Sequence, residues 1–533
     1  MAKRDPTRAI AVYGWGVVAP AAASLSAFRG VVSRGRSALT LARRAELGFG
    51  LFAVGDPEFD FGAYHDWIVS RSGEPRFRQL ESKMGDNALF AIGACIQALE
   101  SNPGLEKIVR ELDAQVQVCI GSGVGDLPQS YAANQSLQRA TRVWNRFWAD
   151  RSRCVALRVW LDEGTVPHGA VLPPDPAVLE ADSEERFAAR AVWDAFWAER
   201  SEARARFESA YAEIERVPIG NDVERGPLHA IKTRQKLHRK LLDDTGCPTP
   251  PWESVDPKLV WAIQNVPAAQ ITMLLGVHGA SYAPVGACST FGLALKLGRD
   301  AIERGEARAV IIGTTDPRPD PALIAAFHRA RLTPASGTVN LPLTSLLGTH
   351  VSGGACVWIL GDEEYMASHG LRPVGPRIDG VALSSDAEHI ITPSAQGPKL
   401  AIRTALGEAN AKREDIAAWD LHATGTPGDA SELRLSREFV GSSTALSARK
   451  GIFGHGMANA GGWELTALGM GLMEGRALAT GVPGESVHPA LRAEYGTALV
   501  SDERALQGRT GVKVMLGIGG ITACVALSRA ESR

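Results

Sequence analysis

The sequence lacks any apolar run of 18 residues, so it predicts no transmembrane helix. It also lacks an excess of charge: the formal net charge is −2 over 533 residues, which does not favour a nucleic-acid or anionic-membrane partner. Paired cysteines are missing too, because the seven cysteines are scattered and none forms a CxxC motif, as is typical of a reducing compartment. A signal peptide is not expected, since Asp5 spoils the basic flank and Gly14 and Gly16 break the first apolar stretch, which instead indicates a strand followed by a turn. We therefore expect a cytoplasmic protein.

The composition is typical of a globular protein. Along the chain, three stretches differ in their residue patterns. Apolar residues make up 45% and charged residues 22% of the sequence. From residue 9 to 137, and again from 261 to the end, short apolar strands alternate with helical patterns. Between them, residues 138–255 are rich in Arg, Glu, Ala and Trp. This pattern predicts an α/β layered fold interrupted by a mostly helical insertion.

The predicted insertion contains a short repeat. Each copy holds two tryptophans four residues apart, which lie on one helix face: Trp144 with Trp148, and Trp193 with Trp197. Two amphipathic helices that pack their aromatic faces together, or onto the body of the protein, explain the pattern. A hydrophobic wall or lid for an acyl chain is the alternative.

Three residues of nucleophilic and acid–base chemistry lie in turns rich in small residues. Cys288 comes directly before a helical pattern, where the helix N-terminus is expected to lower the thiol pKa. His422 opens a loop rich in Gly, Thr and Pro, and His455 lies between two glycines. Taken alone, each is also compatible with a packing cysteine or a loop histidine.

Two further features accompany these residues. Lys450 and Glu464 flank His455 and form either a surface ion pair or, if buried, a device that orients the histidines. The turn Gly517–Ala523 follows a strand and contains Ile518, Gly519 and Gly520. A backbone N–H in such a turn, together with that of Cys288, predicts an oxyanion hole.

Together these motifs resemble those of the β-ketoacyl-acyl-carrier-protein synthases, the elongating Cys-His-His condensing enzymes of the thiolase superfamily. The order Cys, His, Lys, His, Glu is reproduced, and the segments Ser384–Ala387 and Asn265–Gly276 also resemble the family. The resemblance covers about residues 9–137 and 256–530. It implies a five-layered α-β-α-β-α fold made of two similar halves, residues 1–366 with the nucleophile and 367–533 with the histidines, the first half being interrupted by the insertion at 138–255.

The resemblance also implies roles for individual residues. Cys288 would accept the acyl group, while His422 and His455 would stabilise the enolate formed when a malonyl-type thioester loses carbon dioxide. Lys450 and Glu464 would hold the histidine geometry. Contacts to the substrate are implied for Thr424 and Thr426, and for Gly519 and Gly520.

The implied activity is that of an acyltransferase that carries out decarboxylative Claisen condensation in fatty-acid, polyketide or specialised metabolism. It implies no metal or organic cofactor, substrates carried on acyl carrier protein or coenzyme A, and a homodimer or a heterodimer with a related ketosynthase. Ile518 departs from the Phe that commonly gates the acyl pocket of this family.

Three alternatives stay open: an acyltransferase or hydrolase without condensation, an inactive partner of the chain-length-factor type, and a thiolase that uses Cys524 as its acid–base group. A last feature is the basic helical pattern Ile231–Leu242. It indicates either a solvated helix face or a docking patch for an acidic carrier protein.

Overall fold

The structure is a computed structural model that describes residues 5, 8–43, 51–218, 226–388, 394 and 396–530. It forms two compact units. The α/β unit comprises Met1–Pro128 and Val260–Arg533, and the helical unit comprises Gln129–Leu259. The helical unit therefore begins before, and ends after, the insertion predicted at 138–255.

The strands, in chain order, are β1 (Ile10–Val18), β2 (Thr40–Arg43), β3 (Leu51–Val54), β4 (Val116–Gly121), β5 (Ser281–Tyr282), β6 (Ala309–Asp316), β7 (Gly354–Asp362), β8 (Arg377–Ser385), β9 (Ile416–Asp420), β10 (Ala445–Ser447), β11 (Arg476–Ala477), β12 (Arg504–Ala505), β13 (Thr510–Gly517) and β14 (Ile521–Ser528).

The α-helices are α1 (Leu25–Arg34), α2 (His65–Ser72), α3 (Glu74–Lys83), α4 (Asp86–Glu100), α5 (Leu105–Leu112), α6 (Leu127–Trp148), α7 (Val155–Glu163), α8 (Glu184–Ala198), α9 (Glu202–Glu215), α10 (Gly226–Thr245), α11 (Val266–Leu275), α12 (Thr290–Glu303), α13 (Pro321–Arg329), α14 (Glu363–Ser368), α15 (Gln396–Glu408), α16 (Gly428–Arg437), α17 (Lys450–Phe453), α18 (Ala460–Glu474) and α19 (Pro489–Tyr495). Of the helices in the described ranges, none has the length and apolarity needed to cross a lipid bilayer.

The main sheet of the α/β unit has ten strands in the order β10-β9-β13-β14-β8-β1-β7-β6-β4-β5. The first half, β1-β7-β6-β4-β5, and the second half, β8-β14-β13-β9-β10, repeat one plan, because in each half two antiparallel pairings are followed by two parallel ones. Between the halves the sheet is joined only by the registered pair Ala11 and Arg377 within the described strands.

Alternate residues of each strand face different cores, as expected for a two-residue period. In β7, Trp358 packs in a central core with Phe291 of α12 and Trp463 of α18, while its neighbour Ile359 packs in an outer core with α4 and α11. In the second half, β14 shares the central core, and Cys524 of the same strand faces a third core with α15 and α16. The layers are thus α4/α11, sheet half, α12/α18, sheet half and α15/α16. The predicted α-β-α-β-α fold class is confirmed.

The first strand differs from the prediction in its length. Gly14 and Gly16 predicted a turn, but β1 continues through both of them. A Cβ atom at Gly14 would lie 2.2 Å from the carbonyl oxygen of Ala98, and one at Gly16 would lie 1.9 Å from that of Ala94. The glycines are therefore needed for the close approach of α4 to the strand, not for a change of direction.

The helical unit buries the repeated tryptophans in its own interior. Trp144 and Trp148 of α6 pack with Phe207 of α9, and the Trp144 and Trp148 ring centroids are 5.3 Å apart. Trp193 and Trp197 of α8 form a second cluster. All four tryptophans are at most 8% exposed. The repeated tryptophans thus serve packing inside the unit, although the two aromatic faces lie in separate clusters and not against each other. Trp193 also lines a cavity of this unit together with Trp160 and Phe187.

Candidate active site

Cys288 lies in a tight turn at the start of α12. Residues Ala287–Ser289 form one 3₁₀ turn, and α12 follows directly at Thr290. The hydroxyl of Ser289 lies 3.0 Å from the carbonyl oxygen of Met515 and 2.7 Å from that of Ile521. The nucleophile turn is therefore attached to both ends of the β13–β14 turn that carries Ile518.

The structure brings the predicted nucleophile and both predicted histidines together. The Sγ of Cys288 and one ring nitrogen each of His422 and His455 all lie within 4.8 Å of one another. The two imidazole centroids are 5.7 Å apart, with the rings nearly perpendicular. All three side chains are buried. A thioester bound at the sulfur can therefore contact both rings.

The acidity of the Cys288 thiol differs from the prediction. Burial raises its pKa above the ordinary value, and this effect outweighs hydrogen bonding from the backbone N–H of Ile518 and the positive charge of Lys450, which lower it. Removal of the sulfur from water is the largest effect on this pKa. The resting group is therefore a neutral thiol at neutral pH.

Both histidines are neutral, and the same nitrogen of each carries the hydrogen. Burial, followed by the charge of Lys450, lowers the pKa of His422 well below its ordinary value and that of His455 to about 3. The backbone N–H of Met457 donates to Nδ1 of His455 at 3.1 Å, and the ammonium of Lys450 lies 3.5 Å from Nδ1 of His422. Since Nδ1 is the acceptor in each ring, Nε2 is the donor. The pair can thus offer two N–H groups to one developing negative charge.

The ion pair of Lys450 and Glu464 is buried and contacts a histidine. The Lys450 ammonium donates to Oε1 of Glu464 at 2.8 Å and to the carbonyl oxygen of His422 at 2.5 Å. Both side chains are at most 3% exposed. The prediction of a surface ion pair is therefore wrong. The buried pair orients His422 directly.

Several contributors to the site were missed in the sequence. The carboxylate of Glu432 accepts the backbone N–H groups of His422 and Ala423 at 2.5 and 2.8 Å, and burial raises its pKa to about 7. Asp429 accepts the N–H groups of Thr424 and Gly425 at 2.8 and 3.0 Å. The sequence does hold a signal for these two residues: Asp429 and Glu432 lie three positions apart at the start of α16, and this spacing places both on one helix face.

The predicted substrate-contact residues lie in two turns. Thr424 and Thr426 are half-buried, with their hydroxyl oxygens 2.9 Å apart. Gly519 and Gly520 have φ angles of 97° and 75°, which place them in the region that favours glycine. Ile518 is 40% exposed, so its side chain faces solvent while its N–H faces the sulfur of Cys288.

Cys524 is not part of this arrangement. It is fully buried in the outer core of the second half, and burial raises its pKa. Cysteine and histidine are also zinc ligands, and Cys288 with the two histidines is a group in the described ranges that could hold a metal ion. The raised thiol pKa and the adjacent Lys450 ammonium both oppose a divalent cation there.

Comparison with known protein families agrees with this geometry. The model described as "Beta-ketoacyl synthase, N-terminal domain" matches residues 177–364, beginning inside the helical unit, and "Beta-ketoacyl synthase, C-terminal domain" matches residues 376–480. Together the two matches cover more than half of the chain and include Cys288, His422 and His455. The chain belongs to the β-ketoacyl synthase family.

Individual relatives of this β-ketoacyl synthase family member are distant. Nodulation protein E of Rhizobium meliloti (strain 1021) is 28% identical over 245 residues, which are 45% of this chain and 59% of the relative. The 3-oxoacyl-[acyl-carrier-protein] synthase 2 of Synechocystis is 27% identical over 278 residues, 50% of this chain and 66% of the relative. The chain thus spans between half and two thirds of the length of these relatives.

The fold similarity extends further than the sequence similarity. The solved structure titled "The ishigamide ketosynthase/chain length factor" has a TM-score of 0.65 and 17% identity, and the match covers 99% of this chain and 100% of that one. The thiolase-like ketosynthase fold therefore extends over almost the whole chain.

Proposed function

We propose that this protein is an acyltransferase that catalyses decarboxylative Claisen condensation of an acyl thioester with a malonyl-type thioester. The observation that carries the proposal is the meeting of a buried sulfur with two neutral imidazoles, each with Nε2 as its donor. The family membership supports the same reaction. The substrate class that fits this family membership is the acyl thioesters of fatty-acid or polyketide chains.

The first half-reaction transfers the acyl group to Cys288. The sulfur attacks the thioester carbonyl, a new carbon–sulfur bond forms, and the carrier thiol leaves with the proton that the cysteine gives up. The N–H groups of Ile518 and Cys288, which both hydrogen-bond to the sulfur, lie beside the reacting carbonyl and stabilise its negative oxygen. A thiol that is neutral at rest is protected from oxidation until substrate arrives.

The second half-reaction uses the histidines. A malonyl-type thioester loses carbon dioxide, and its carbonyl oxygen becomes an enolate that accepts hydrogen bonds from His422 and His455. The enolate carbon then attacks the acyl carbon on Cys288, so that a carbon–carbon bond forms as the carbon–sulfur bond breaks. The sulfur leaves as a thiolate, which takes a proton from solvent and restores the resting thiol. Two donors that are already fixed in place need no reorganisation as the charge develops.

The test is intact-protein mass spectrometry with a panel of acyl thioesters, coupled to measurement of carbon dioxide release from a malonyl thioester. We expect one acyl adduct, lost in Cys288→Ala. Cys247→Ser is the matched control, because Cys247 is half-buried while the other six cysteines are buried, and this variant should keep the adduct. An adduct without any carbon dioxide release would instead establish the simple acyltransferase.

Acyl carrier protein is the partner that we infer from α10. Arg234 and His238 of this helix face Glu215 of α9, at 3.5 and 3.2 Å. Four other cations of α10 are exposed: Lys232, Lys236, Arg239 and Lys240. An exposed cationic face fits an acidic protein surface and increases its association rate.

Charge reversal of Lys236, Arg239 and Lys240 to Glu tests this docking surface. Acylation from carrier protein should slow about tenfold or more at low salt, as expected from the loss of steering, while acylation from a small thioester should not change. The control reverses three exposed lysines of the α/β unit: Lys83, Lys107 and Lys412. Equal slowing with both substrates would remove the docking idea.

A second copy of this chain is the other partner that we infer. Strand β5 forms one edge of the ten-stranded sheet, and its residues Ser281 and Tyr282 are both exposed. Met273 and Val285 nearby are 63% and 48% exposed. An exposed strand edge flanked by apolar side chains favours pairing with another chain. Light scattering should give twice the chain mass, and Tyr282→Asp should shift it toward the monomer.

A further inference from the structure

Lys513 lies in the interior of the α/β unit, where lysine is rare. Its side chain has no exposed surface. The ammonium lies 3.0 Å from Oδ1 of Asp420, 2.8 Å from the carbonyl oxygen of Leu421 and 2.6 Å from Oε2 of Glu464. The ammonium therefore donates to Asp420 and Leu421 and forms an ion pair with Glu464, so that three oxygens surround it.

The groups around this ammonium belong to the elements that carry the site. Lys513 is in β13, which leads to the turn with Ile518. Asp420 ends β9, two residues before His422, and it is the registered partner of Lys513 in the parallel β9–β13 pair. Glu464 is in α18 and binds Lys450 through its other oxygen. One buried cation thus joins three separate elements.

We propose that Lys513 is a positioning residue for the histidine pair. It holds one oxygen of Glu464, so that the other oxygen remains directed at Lys450, which in turn contacts His422. The chain of contacts alternates in sign from Arg449 through Asp420, Lys513 and Glu464 to Lys450. This inference rests on the proposed function, because it assigns a role in the step that the histidines catalyse.

The charges that face His422 come from several elements. The cations are Lys450 and Lys513, and the second imidazole is His455. The carboxylates are Glu432, which accepts the His422 N–H, and Glu464 and Asp420, which contact the two lysines. Loss of the Lys513 charge leaves two carboxylates short of a partner and favours protonation of His422.

The principal test is Lys513→Met, which keeps the length of the side chain and removes the charge. We expect kcat for carbon dioxide release to fall at least tenfold, with KM changed less than threefold. The rate of Cys288 alkylation by iodoacetamide should also change less than threefold. In protein with ¹³C-labelled histidine, the pH at which the His422 ring titrates should rise.

Rescue distinguishes positioning from loss of packing. Lys513→Ala should regain carbon dioxide release with methylammonium in a saturable manner, because the added cation can occupy the same three oxygens. Lys296→Met is the control: Lys296 forms an ion pair with Asp300 at 2.5 Å on α12 and is 20% exposed. Its kcat and its response to methylammonium should match the wild type.

The proposal is overturned if Lys513→Met keeps kcat within twofold and leaves the His422 titration unchanged. It is also rejected if both Lys513 variants are recovered only unfolded, with or without methylammonium, since the lysine then serves the fold alone. If Cys288 of the wild-type protein reacts with iodoacetamide but the protein releases no carbon dioxide from a malonyl thioester, the proposed function is refuted. The substrate-free His422 titration then decides the positioning role by itself.

Discussion

The two halves of the sheet share one strand plan but differ in what they bury. In the first half, none of the registered pairs of β4 with β6 carries a charge; Cys119, for example, lies opposite Ile312. The corresponding β9–β13 pair in the second half places Asp420 opposite Lys513. The first half supplies the sulfur on a turn that the Ser289 hydroxyl ties to two backbone carbonyl oxygens, and the second supplies histidines held by buried ions. The same scaffold thus positions one group by hydrogen bonds to the backbone and the other by buried ion pairs.

The largest effect should come from removing the group that the first half supplies. We expect Cys288→Ala to lower condensation by at least about 10⁴-fold, because no acyl-enzyme can form. Carbon dioxide release from a malonyl thioester should persist, since both histidines remain. Product formation and carbon dioxide release are measured in the same samples. Equal loss of both would contradict a division of labour between the halves.

Removing a group of the second half should give the reverse pattern. His455→Ala is expected to slow carbon dioxide release by about 10²–10³-fold, the usual cost of losing one donor to a developing oxyanion. Acylation of Cys288, followed by mass spectrometry, should continue. Carbon dioxide release at the wild-type rate would refute the assigned role.

Stability should also separate the halves. Asp420→Asn leaves Lys513 and Arg449 buried without their carboxylate and should cost about 3–5 kcal/mol in the free energy of unfolding. Ile312→Val in β6, the first-half counterpart of the strand that carries Lys513, removes one buried methyl group and should cost about 1 kcal/mol. Urea unfolding of both variants provides the measurement. Similar costs would mean that the ionic pair contributes no more than ordinary packing.

The smallest effect concerns His350, whose carbonyl oxygen accepts the N–H of His455 at 2.6 Å. Burial lowers the pKa of its imidazole to about 4, from 6.5. Between these values the unfolded chain binds more protons than the folded one, so the contribution of this group to stability falls as the pH falls. The slope is at most about 1.4 kcal/mol per pH unit. In urea unfolding from pH 7 to 5, His350→Gln should lose less stability than the wild type.

Much of the fold was predictable because the chain alternates strand and helix patterns with apolar faces. Strands such as β4, β7 and β9 occur close to where their apolar runs predict them. The continuation of β1 through Gly14 and Gly16 was not predictable, because a glycine that admits a neighbouring helix looks the same in sequence as one that ends a strand. Only the position of α4 distinguishes the two cases.

The candidate site, too, could be predicted from the sequence only in part. Cys288, His422 and His455 were found because reactive residue types in turns of small residues are uncommon in a packed core. Lys513 was not, since a lysine between two valines is typical of a strand with one solvated face. Its partner Asp420 is 93 positions away. Likewise, the helix position of Cys288 suggested an acidic thiol, and only the degree of burial reverses the direction.

The strand order has a consequence for synthesis on the ribosome. Strands β13 and β14 follow β8, β9 and β10 in the chain but lie between β9 and β8 in the sheet. Until the last hairpin has emerged, the carboxylate of Asp420 has no Lys513 to meet, and the nascent strands on either side cannot be joined. Assembly of the histidine half must therefore wait until residue 528 has left the exit tunnel, long after the segment with the nucleophile has done so.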